Sequence, residues 1–354
     1  MIKIGSQQHV GLDIGTHSIK TVVLDKVGSN FRLGKFNITP IYGEGEIYDP
    51  EGPKRSVVVP RLMNAFAELG QTPRKVKHLA SSIGGQAVAA KEIKSLQMTD
   101  EEMDSSLLLE ARKHLPLDGS ETIVDYQILG DDIHEAEKVR VLLVAATRKH
   151  FQNHLEMLRD IELKPGIVDI DQMAILNSYV SQNDLPDEGV TISLDVGCRK
   201  TILSVLGRKS FFFTRDIPIA GYVFTQELMK KYDLSYDEAE KVKAAQGMNP
   251  DLPIARAVEQ DALQLAEKGA LDRLGDEINR SLRYYVKESG QSYFNNILVT
   301  GGSAALPGLT EYLEKKFNLP VSIYNPCDAL DTSGRKIAEG AQLAVAVGLA
   351  LRAE

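Results

Sequence analysis

Two stretches with nearly the same sequence lie in the two halves of the chain. Val10–Leu24 reads VGLDIGTHSIKTVVL, and Ile192–Leu206 reads ISLDVGCRKTILSVL. Each is an apolar strand that ends in Leu-Asp-x-Gly, followed by a polar turn and a second apolar strand. A single hairpin of this kind is ordinary turn chemistry, because Asp and Gly are common between strands. Two copies, one opening each half, favour a duplicated fold with a phosphate-binding hairpin in each half.

The first hairpin contains the residue types that an anion site needs. Gly15 allows the backbone to come close to a ligand, and the turn N–H groups can form a concave anion site. Thr16 and Ser18 add hydroxyl donors, while Lys20 supplies a point charge for a phosphate. Asp13, at the end of the strand, can hold a hydrated Mg²⁺ through water. The alternative is a plain Asp-Gly turn with no ligand.

The second hairpin repeats this chemistry with more positive charge. Asp195 and Gly197 match the Asp and Gly of the first hairpin, and Cys198 follows in the turn. Arg199-Lys200 adds two cations, and Thr201 comes six residues after the Asp. The sequence therefore predicts a nucleotide held between two lobes. It contains neither GxxxxGK[ST] nor a GxGxxG after the first strand, which disfavours a P-loop protein and a dinucleotide-binding fold.

A third motif is ILVTGGS, residues 297–303. It is typical of a buried strand that ends in a glycine turn. Gly301 and Gly302 leave space against a flat ring or a ribose, and the Ser303 hydroxyl can donate a hydrogen bond. A plain turn between a strand and a helix remains the alternative interpretation.

The elements that must position these motifs include many short strands. Alternation and buried apolar runs predict strands in both halves of the chain. They are Val10–Ile14, Ile19–Lys26, Phe31–Thr39, Val76–Ser82, Gln86–Ile93, Thr122–Leu129, Lys138–Thr147, Gly166–Ile170, Thr191–Asp195, Thr201–Leu206, Ser210–Thr214, Ile297–Thr300 and Val321–Tyr324.

Helical periodicity and capping residues predict the helices. Thr99 and Glu102 form a capping box that opens a helix ending at Pro116. A long periodic stretch covers Ile254–Gly290, which Gly269 and Gly275 could interrupt. The other predicted helices are Lys54–Leu69, His150–Glu162, Gln172–Val180, Ser235–Gln246, Leu309–Phe317 and Ala338–Leu351.

Composition excludes several classes of function. The chain has 354 residues, 43% hydrophobic and 25% charged, with a formal net charge of −8. The negative charge argues against general affinity for nucleic acid or anionic lipid. The two cysteines, Cys198 and Cys327, are expected to be free thiols in a reducing compartment. No secretory signal is visible, and the apolar run Leu343–Leu351 is too short to span a membrane, so we expect a cytoplasmic protein without direct membrane insertion.

The order of motifs resembles the superfamily of actin, the DnaK-type chaperones and FtsA. LDIGTHSIK, VDIDQMAILNSY, LDVGCRKTILSVL, YDEAEKVKAAQG, VTGGSAALPGL and EGAQLAVAVGLALR follow one another as phosphate-1, connect-1, phosphate-2, adenosine helix, adenosine motif and connect-2 do in that superfamily. Within it, the chain is similar to the PilM family of actin-like type IV pilus assembly proteins. EARKHLPLDGSETIVDYQIL and the tail NPCDALDTS…AVAVGLALR support this resemblance.

The resemblance implies an α/β, actin-like fold: a duplicated ribonuclease-H-like core in two lobes, with a small insertion subdomain of the FtsA/PilM type. Residues 1–85 would form the first-lobe core and 86–163 the α+β insertion. Residues 164–188 would return to the first lobe as connect-1. The second lobe would comprise its core, 189–225 and 296–337, and a helical subdomain, 226–295. Residues 338–354 would form the connect-2 helix of the first lobe.

The resemblance also implies roles for single residues. Asp13, Gly15, Thr16 and Lys20 match phosphate-1, and Asp195, Gly197 and Thr201 match phosphate-2. Glu240, Lys243 and the loop Gly301, Gly302 and Ser303 would contact adenosine. Asp13 and Asp195 would face the same Mg²⁺, with ATP or ADP as the nucleotide. Gly340 and Gly348 would let two connecting helices cross closely.

In the superfamily, one residue of connect-1 lies near the water that attacks the nucleotide. This chain has a different residue type at that position. Asp171 stands where the chaperones have a Glu, Met173 stands where actin has a Gln, and Asp169 is a nearby rival. The shorter side chain of Asp171 predicts nucleotide binding with slow or absent hydrolysis. The alternative role for Asp169 and Asp171 is helix N-capping. His150 and His154 share one helix face but lack the HExxH pattern of a zinc site.

A PilM-like protein would be a scaffold at the inner membrane, reached through partners. The resemblance implies that the N-terminal cytoplasmic tail of a PilN-like membrane protein docks in a groove between the first lobe and its insertion. Other pilus platform proteins and pilus motor ATPases are possible further partners. Two other functions stay open: an FtsA-like cell-division protein, which would need a C-terminal amphipathic membrane helix, and a small-molecule kinase, which would need a positioned Asp base.

Overall fold

A computed structural model describes residues 7–46, 48–49, 52–115, 121–132, 135–208, 210–253 and 268–352. Its strands are β1 (Gln8–Ile14), β2 (Ser18–Val27), β3 (Asn30–Pro40), β4 (His78–Ile83), β5 (Val88–Leu96), β6 (Thr122–Asp131), β7 (Lys138–Thr147), β8 (Ile167–Ile170), β9 (Val190–Val196), β10 (Thr201–Leu206), β11 (Phe213–Ile217), β12 (Phe294–Thr300) and β13 (Val321–Ile323).

The α-helices are α1 (Arg55–Glu68), α2 (Asp100–Ala111), α3 (Arg148–Arg159), α4 (Asp171–Val180), α5 (Gly221–Tyr232), α6 (Tyr236–Gln246), α7 (Ala270–Ser289), α8 (Leu309–Phe317) and α9 (Ala344–Arg352). Short 3-10 helices cover Pro73–Lys75 and Gly340–Leu343. Within the described part of the chain, no helix combines the length and hydrophobicity needed to cross a membrane.

Two five-stranded sheets have the same strand order, which confirms the duplicated fold. The first runs β3-β2-β1-β4-β8, and the second runs β11-β10-β9-β12-β13. In each sheet the first three strands are antiparallel neighbours, and the last two are parallel additions. Because the two sheets are copies, the two Leu-Asp-x-Gly hairpins occupy the same place in each lobe.

A three-stranded sheet, β5-β7-β6, forms the insertion between β4 and β8. Helix α2 packs its buried Met103 and Leu107 against β7. The capping box between Thr99 and Glu102 is present, as the sequence predicts. The helix ends at Ala111, and Pro116 lies outside the described residues.

Some helices differ from the sequence prediction. Helix α5 was not predicted, because GYVFTQELMKKY begins directly after a strand and has no polar N-cap. Of the stretch Ile254–Gly290, residues 254–267 lie outside the described part, and α7 begins after Gly269 and continues through Gly275. The last predicted helix begins as a 3-10 turn and becomes α-helical at Ala344.

Helices α4 and α9 cross at a very short distance. A Cβ at Gly348 would overlap the carbonyl oxygen of Ala174 and lie 2.7 Å from its carbonyl carbon. Gly11 of β1 is equally close to α9, with the Ala350 nitrogen 2.6 Å from its would-be Cβ. Gly348 therefore has the role expected of it. Gly340 does not lie at this helix crossing. The atoms nearest to a Cβ at Gly340 belong to the side chain of Asn325.

Candidate functional site

The first hairpin places a carboxylate opposite an ammonium group. Asp13 and Lys20 are partners across β1 and β2, and their side chains form an ion pair of 3.1 Å. The turn closes through the Gly15 N–H, which donates to the Ser18 carbonyl at 3.2 Å. A Cβ at Gly15 would lie 2.9 Å from Lys20 Nζ, so a side chain there would crowd the charge.

The second hairpin brings Asp195 into the same electrostatic environment. The pKa of Asp195 is raised to about 7, mainly by burial; Lys20 opposes this rise, and the negative charges of Asp13 and Asp171 add to it. Burial also raises the pKa of Asp13, against the lowering effect of Lys20. Burial lowers the pKa of Lys20, but the surrounding carboxylates outweigh it and the pKa is raised overall. Lys20 therefore acts on two buried carboxylates, Asp13 on its own hairpin and Asp195 on the hairpin of the other lobe.

The remaining residues of the phosphate hairpins fall into two groups. Ser18 and Thr201 are buried in the strands, and the Thr201 hydroxyl donates to the Ile219 carbonyl at 2.7 Å. Gly197 and Cys198 lie in the turn, where the Gly197 N–H donates to the Lys200 carbonyl at 3.0 Å. Cys198 Sγ lies 3.2 Å from the Tyr48 hydroxyl. Thr16 bonds to the side chains of both of these residues.

The glycine loop after β12 lies against the second hairpin. Gly301 has a φ of +91°, and a Cβ there would lie 2.7 Å from the Val196 carbonyl oxygen, so glycine is required. The Ser303 N–H donates to the Val196 carbonyl, and its hydroxyl donates to the Gly197 carbonyl. A Cβ at Gly302 would have only Gln342 Oε1 nearby, at 3.9 Å, so this glycine leaves space for a ligand.

Glu240 and Lys243 lie one turn apart on α6 and form an ion pair of 2.5 Å. The Lys243 ammonium also donates to the Gly221 carbonyl at 3.1 Å and to the Thr225 hydroxyl at 2.7 Å. The Thr225 hydroxyl in turn donates to Glu240. Burial lowers the pKa of His17, with Glu240 and Lys243 also acting on it. The turn of the first hairpin therefore reaches the helix that the resemblance assigns to adenosine.

The structure separates the two rival aspartates. Asp169 forms an ion pair of 2.9 Å with Arg352 at the end of α9 and accepts the Ile170 N–H. Asp171, at the first residue of α4, accepts the Ser82 hydroxyl at 2.8 Å and pairs with Lys200 at 3.2 Å. It also acts electrostatically on both hairpin carboxylates. Of the two, only Asp171 is connected with the hairpin site.

The structure adds contacts to this site that the sequence did not predict. Lys200 connects Asp171 to Asp216, whose carboxylate lies 2.9 Å from the ammonium. Gly84 follows β4 and leaves room for them, since a Cβ there would lie 2.7 Å from Lys200 Nζ. The sequence does contain a signal for Gly84. The motif SIGG at the end of β4 stands in the first lobe where VTGG stands at the end of β12 in the second.

A segment after β3, residues 41–46 and 48–49, crosses from the first lobe to the second, and we call it the strap. The Gly45 N–H donates to Asp237 at 2.9 Å, and Glu44 pairs with Lys241 at 2.7 Å. The ring of Tyr48 stacks on Tyr236 at 5.2 Å between centroids. It also lies 4.6 Å from the ring of Tyr222. The strap thus fastens the two lobes beside the second hairpin.

One histidine of the pair on α3, His154, contacts a buried serine of the first sheet. His154 Nε2 lies 2.9 Å from the Ser81 hydroxyl, and burial lowers its pKa to about 4. Among the described residues, no group of three or more His, Cys, Asp or Glu side chains is arranged to hold a metal ion.

Two sheets of the same order, a hairpin in each facing a common cleft, and two crossing helices define the two-lobed class of actin-like ATPase folds. A family model described as "Type IV pilus assembly protein PilM" matches residues 11–354. The chain belongs to the PilM family.

Comparison with solved structures and characterised proteins agrees with this placement. A "PilM-PilN type IV pilus biogenesis complex" matches with a TM-score of 0.79 and 24% identity, covering 98% of both chains. MreB5 of Spiroplasma citri bound to AMPPNP matches with a TM-score of 0.50 and 13% identity, covering 97% of this chain and 94% of that one. FtsA of Enterococcus hirae is 22% identical over 92% of this chain and 79% of its own length.

Proposed function

We propose that this protein binds ATP or ADP with Mg²⁺ between its lobes and serves as a cytoplasmic scaffold of the type IV pilus inner-membrane platform. One observation carries the nucleotide part: the two hairpins bring Asp13, Lys20 and Asp195 together at one cleft. The MreB5 structure of the same fold is described as bound to AMPPNP. The phosphates would lie against the turns at Gly15 and Gly197, whose N–H groups and small size suit an anion.

The residues present fit Mg²⁺. Magnesium keeps several waters and is held through one or two carboxylates together with substrate phosphates. Asp13 and Asp195 supply such a pair, and because burial raises the pKa of both carboxyl groups, a further cation would stabilise their charged forms. The ion, when bound, supplies positive charge that neutralises the phosphates and these carboxylates. Asp13 and Asp195 would hold it, directly or through water.

Adenosine would bind beside the second lobe. The open face of Gly302 and the nearby ion pair of Glu240 and Lys243 suit a ring and a ribose. Hydrolysis would be slow, because Asp171 is engaged by Ser82 and Lys200. Nucleotide would then stabilise one angle between the lobes and shift the population that accepts partners.

The partner would be the N-terminal tail of a PilN-like inner-membrane protein, bound as an extended peptide. The solved structure that matches this chain with a TM-score of 0.79 is described as a PilM-PilN complex. A cavity of about 210 Å³ opens where the insertion meets the first lobe and β11 of the second lobe, and it offers a place for part of the tail. Its lining includes Gly85, Gln172, His114, residues 88–91 of β5 and residues 214–216 of β11. Docking there would keep the protein at the inner membrane through its partner.

Calorimetric titration with ATP and Mg²⁺ tests the nucleotide site. Lys20→Gln should weaken binding by at least about tenfold, because it removes the cation that faces both hairpins. Lys26→Gln, on the same strand but beyond the site, is the matched control and should bind like the wild type. Wild-type protein that takes up neither ATP nor ADP would refute the proposal.

Fluorescence anisotropy with a labelled peptide of the partner's N-terminus tests docking. Lys91 is exposed at the cavity, so Lys91→Glu should change the affinity for a charged peptide severalfold. Lys77→Glu is the control, because it reverses a charge at the opposite end of β4 from Gly85. Equal affinities for the two variants would place the peptide elsewhere, and no binding with ATP present would count against a PilN-like partner.

A further inference from the structure

Lys200 joins the two lobes inside the cleft. It belongs to the turn of the second hairpin, yet its ammonium lies 3.2 Å from Asp171 Oδ2 on α4 of the first lobe. The same ammonium lies 2.9 Å from Asp216 on β11 of its own lobe. Its side chain is 25% exposed, so water screens these ion pairs only in part. The Lys200 bridge thus connects α4 of the first lobe to β11 of the second.

Both carboxylate oxygens of Asp171 are engaged. Oδ1 accepts the Ser82 hydroxyl at 2.8 Å, and Oδ2 faces Lys200. Gly84 packs directly on this group, and a Cβ there would lie 2.7 Å from both Asp171 Cγ and Lys200 Nζ. Gln172 extends the network, since its Nε2 donates to Asp216 at 2.8 Å. Asp171 is therefore held in place from three sides.

We propose that Lys200 is a positioning residue that keeps Asp171 from acting as a base, and that it is the reason for slow nucleotide turnover. This inference rests on the proposed function. In hydrolysis, a water oxygen bonds to the γ-phosphorus, the bond from that phosphorus to the bridging oxygen breaks, and ADP leaves with the electron pair. One water proton must be accepted, and a carboxylate paired with an ammonium accepts it poorly. Without Lys200, Oδ2 would be free to take that proton and pass it to the released phosphate or to solvent.

The charges around Asp171 support the view that Lys200 makes this carboxylate a poorer base. Burial raises the pKa of Asp171, but Lys200, Ser82 and Lys20 outweigh burial and lower it overall. Removing Lys200 leaves the burial and removes the largest opposing charge, so the pKa of Asp171 should rise and its basicity should increase. The other titratable groups that act on Asp171 or on the bridge are Lys20, Asp13, Asp195, Asp169, His150, His154 and Asp216.

Single-turnover ATP hydrolysis by the full chain tests the proposal. Lys200→Met keeps the apolar stem and removes the charge, and Lys200→Gln is a second neutral variant if the first does not fold. We expect the rate to rise about tenfold, which is less than the ~10²–10⁴-fold that a well-positioned general base typically contributes. The rate of the variant should also rise with pH between 5 and 8, whereas Lys200→Arg should keep the wild-type rate.

Lys241→Gln is the matched control, because it removes another ion pair between the lobes, the one with Glu44 on the strap. It should leave the rate unchanged, which separates a specific effect on Asp171 from a general loosening of the lobes. ATP binding is measured first in every variant. If ATP binds but neutral substitution of Lys200 leaves the rate unchanged or lowers it, this inference fails and the proposed function stands. If the wild type does not bind ATP, both fail.

Discussion

The crossing of α4 and α9 should not tolerate a single added methyl group at Gly348. The Cβ of alanine would lie 2.7 Å from the Ala174 carbonyl carbon and 3.0 Å from the Ser178 nitrogen. Carbon atoms in contact prefer about 3.5–4.0 Å, and the overlap with the Ala174 carbonyl oxygen is deeper still, so the helices must separate by more than about 1 Å. Overpacking of this kind costs about 1–3 kcal/mol, and here the cost should be about 3 kcal/mol because the obstacle is backbone, which cannot rotate away. The gain in helix propensity from Gly to Ala, about 1 kcal/mol, offsets only part of this cost. We expect Gly348→Ala to lower the free energy of unfolding by about 2 kcal/mol.

Urea unfolding followed by circular dichroism measures this free energy. Gly275→Ala is the matched control, since Gly275 also lies inside a helix. A Cβ there would meet the ends of two flexible side chains, Tyr312 and Lys316, instead of backbone. The control should stay within about 1 kcal/mol of the wild type. A Gly348→Ala protein as stable as this control would refute the argument from close crossing.

Three other perturbations follow from the structure. The pKa of Asp195 is about 7 in the folded protein, above the ordinary value of 3.8. Stability without nucleotide should therefore be greatest below pH 4 with respect to this group and fall by about 2–4 kcal/mol as the pH rises to 7. Asp195→Asn should flatten that part of the pH profile in chemical unfolding, and an unchanged profile would contradict the assignment. Tyr48→Ala removes the ring that joins the strap to the second lobe, so stopped-flow release of a fluorescent ATP analogue should become severalfold faster; unchanged release would show that the strap does not retain nucleotide. Thr99→Ala breaks the capping box of α2 and should cost about 1 kcal/mol, which hydrogen exchange of the α2 amides would detect; unaltered protection would exclude a stabilising cap.

The duplicated core was predictable because its pattern is local. Each strand of the two sheets is a short apolar run closed by Asp and Gly, and the same turn chemistry appears in both halves. The predicted helix Leu309–Phe317 agrees with α8 residue for residue. Helix α5 was missed because it begins at Gly221, where α6 contacts rather than a polar cap stabilise the first turn.

The site was predictable only where a motif marks it. Asp13, Lys20 and Asp195 lie in hairpins whose spacing is visible in the sequence. The partner of Asp171 could not be read in this way, because Lys200 reaches it across the cleft from another lobe. Likewise, only the fold shows that Asp169 forms an ion pair with Arg352, which lies far from it in the sequence.

The placement of α9 sets the order in which the chain can fold. This helix packs against β1, although more than 300 residues separate them in the sequence. A ribosome delivers β1 to β4 early, together with α1, which covers one part of this sheet, but the cover that α9 provides emerges only after the whole second lobe. The second sheet contains only β9 to β13, which follow one another in the sequence, so it can form before α9 is available. During synthesis, the lobe that starts last should mature first, and the early strands should depend on chaperones until α9 arrives.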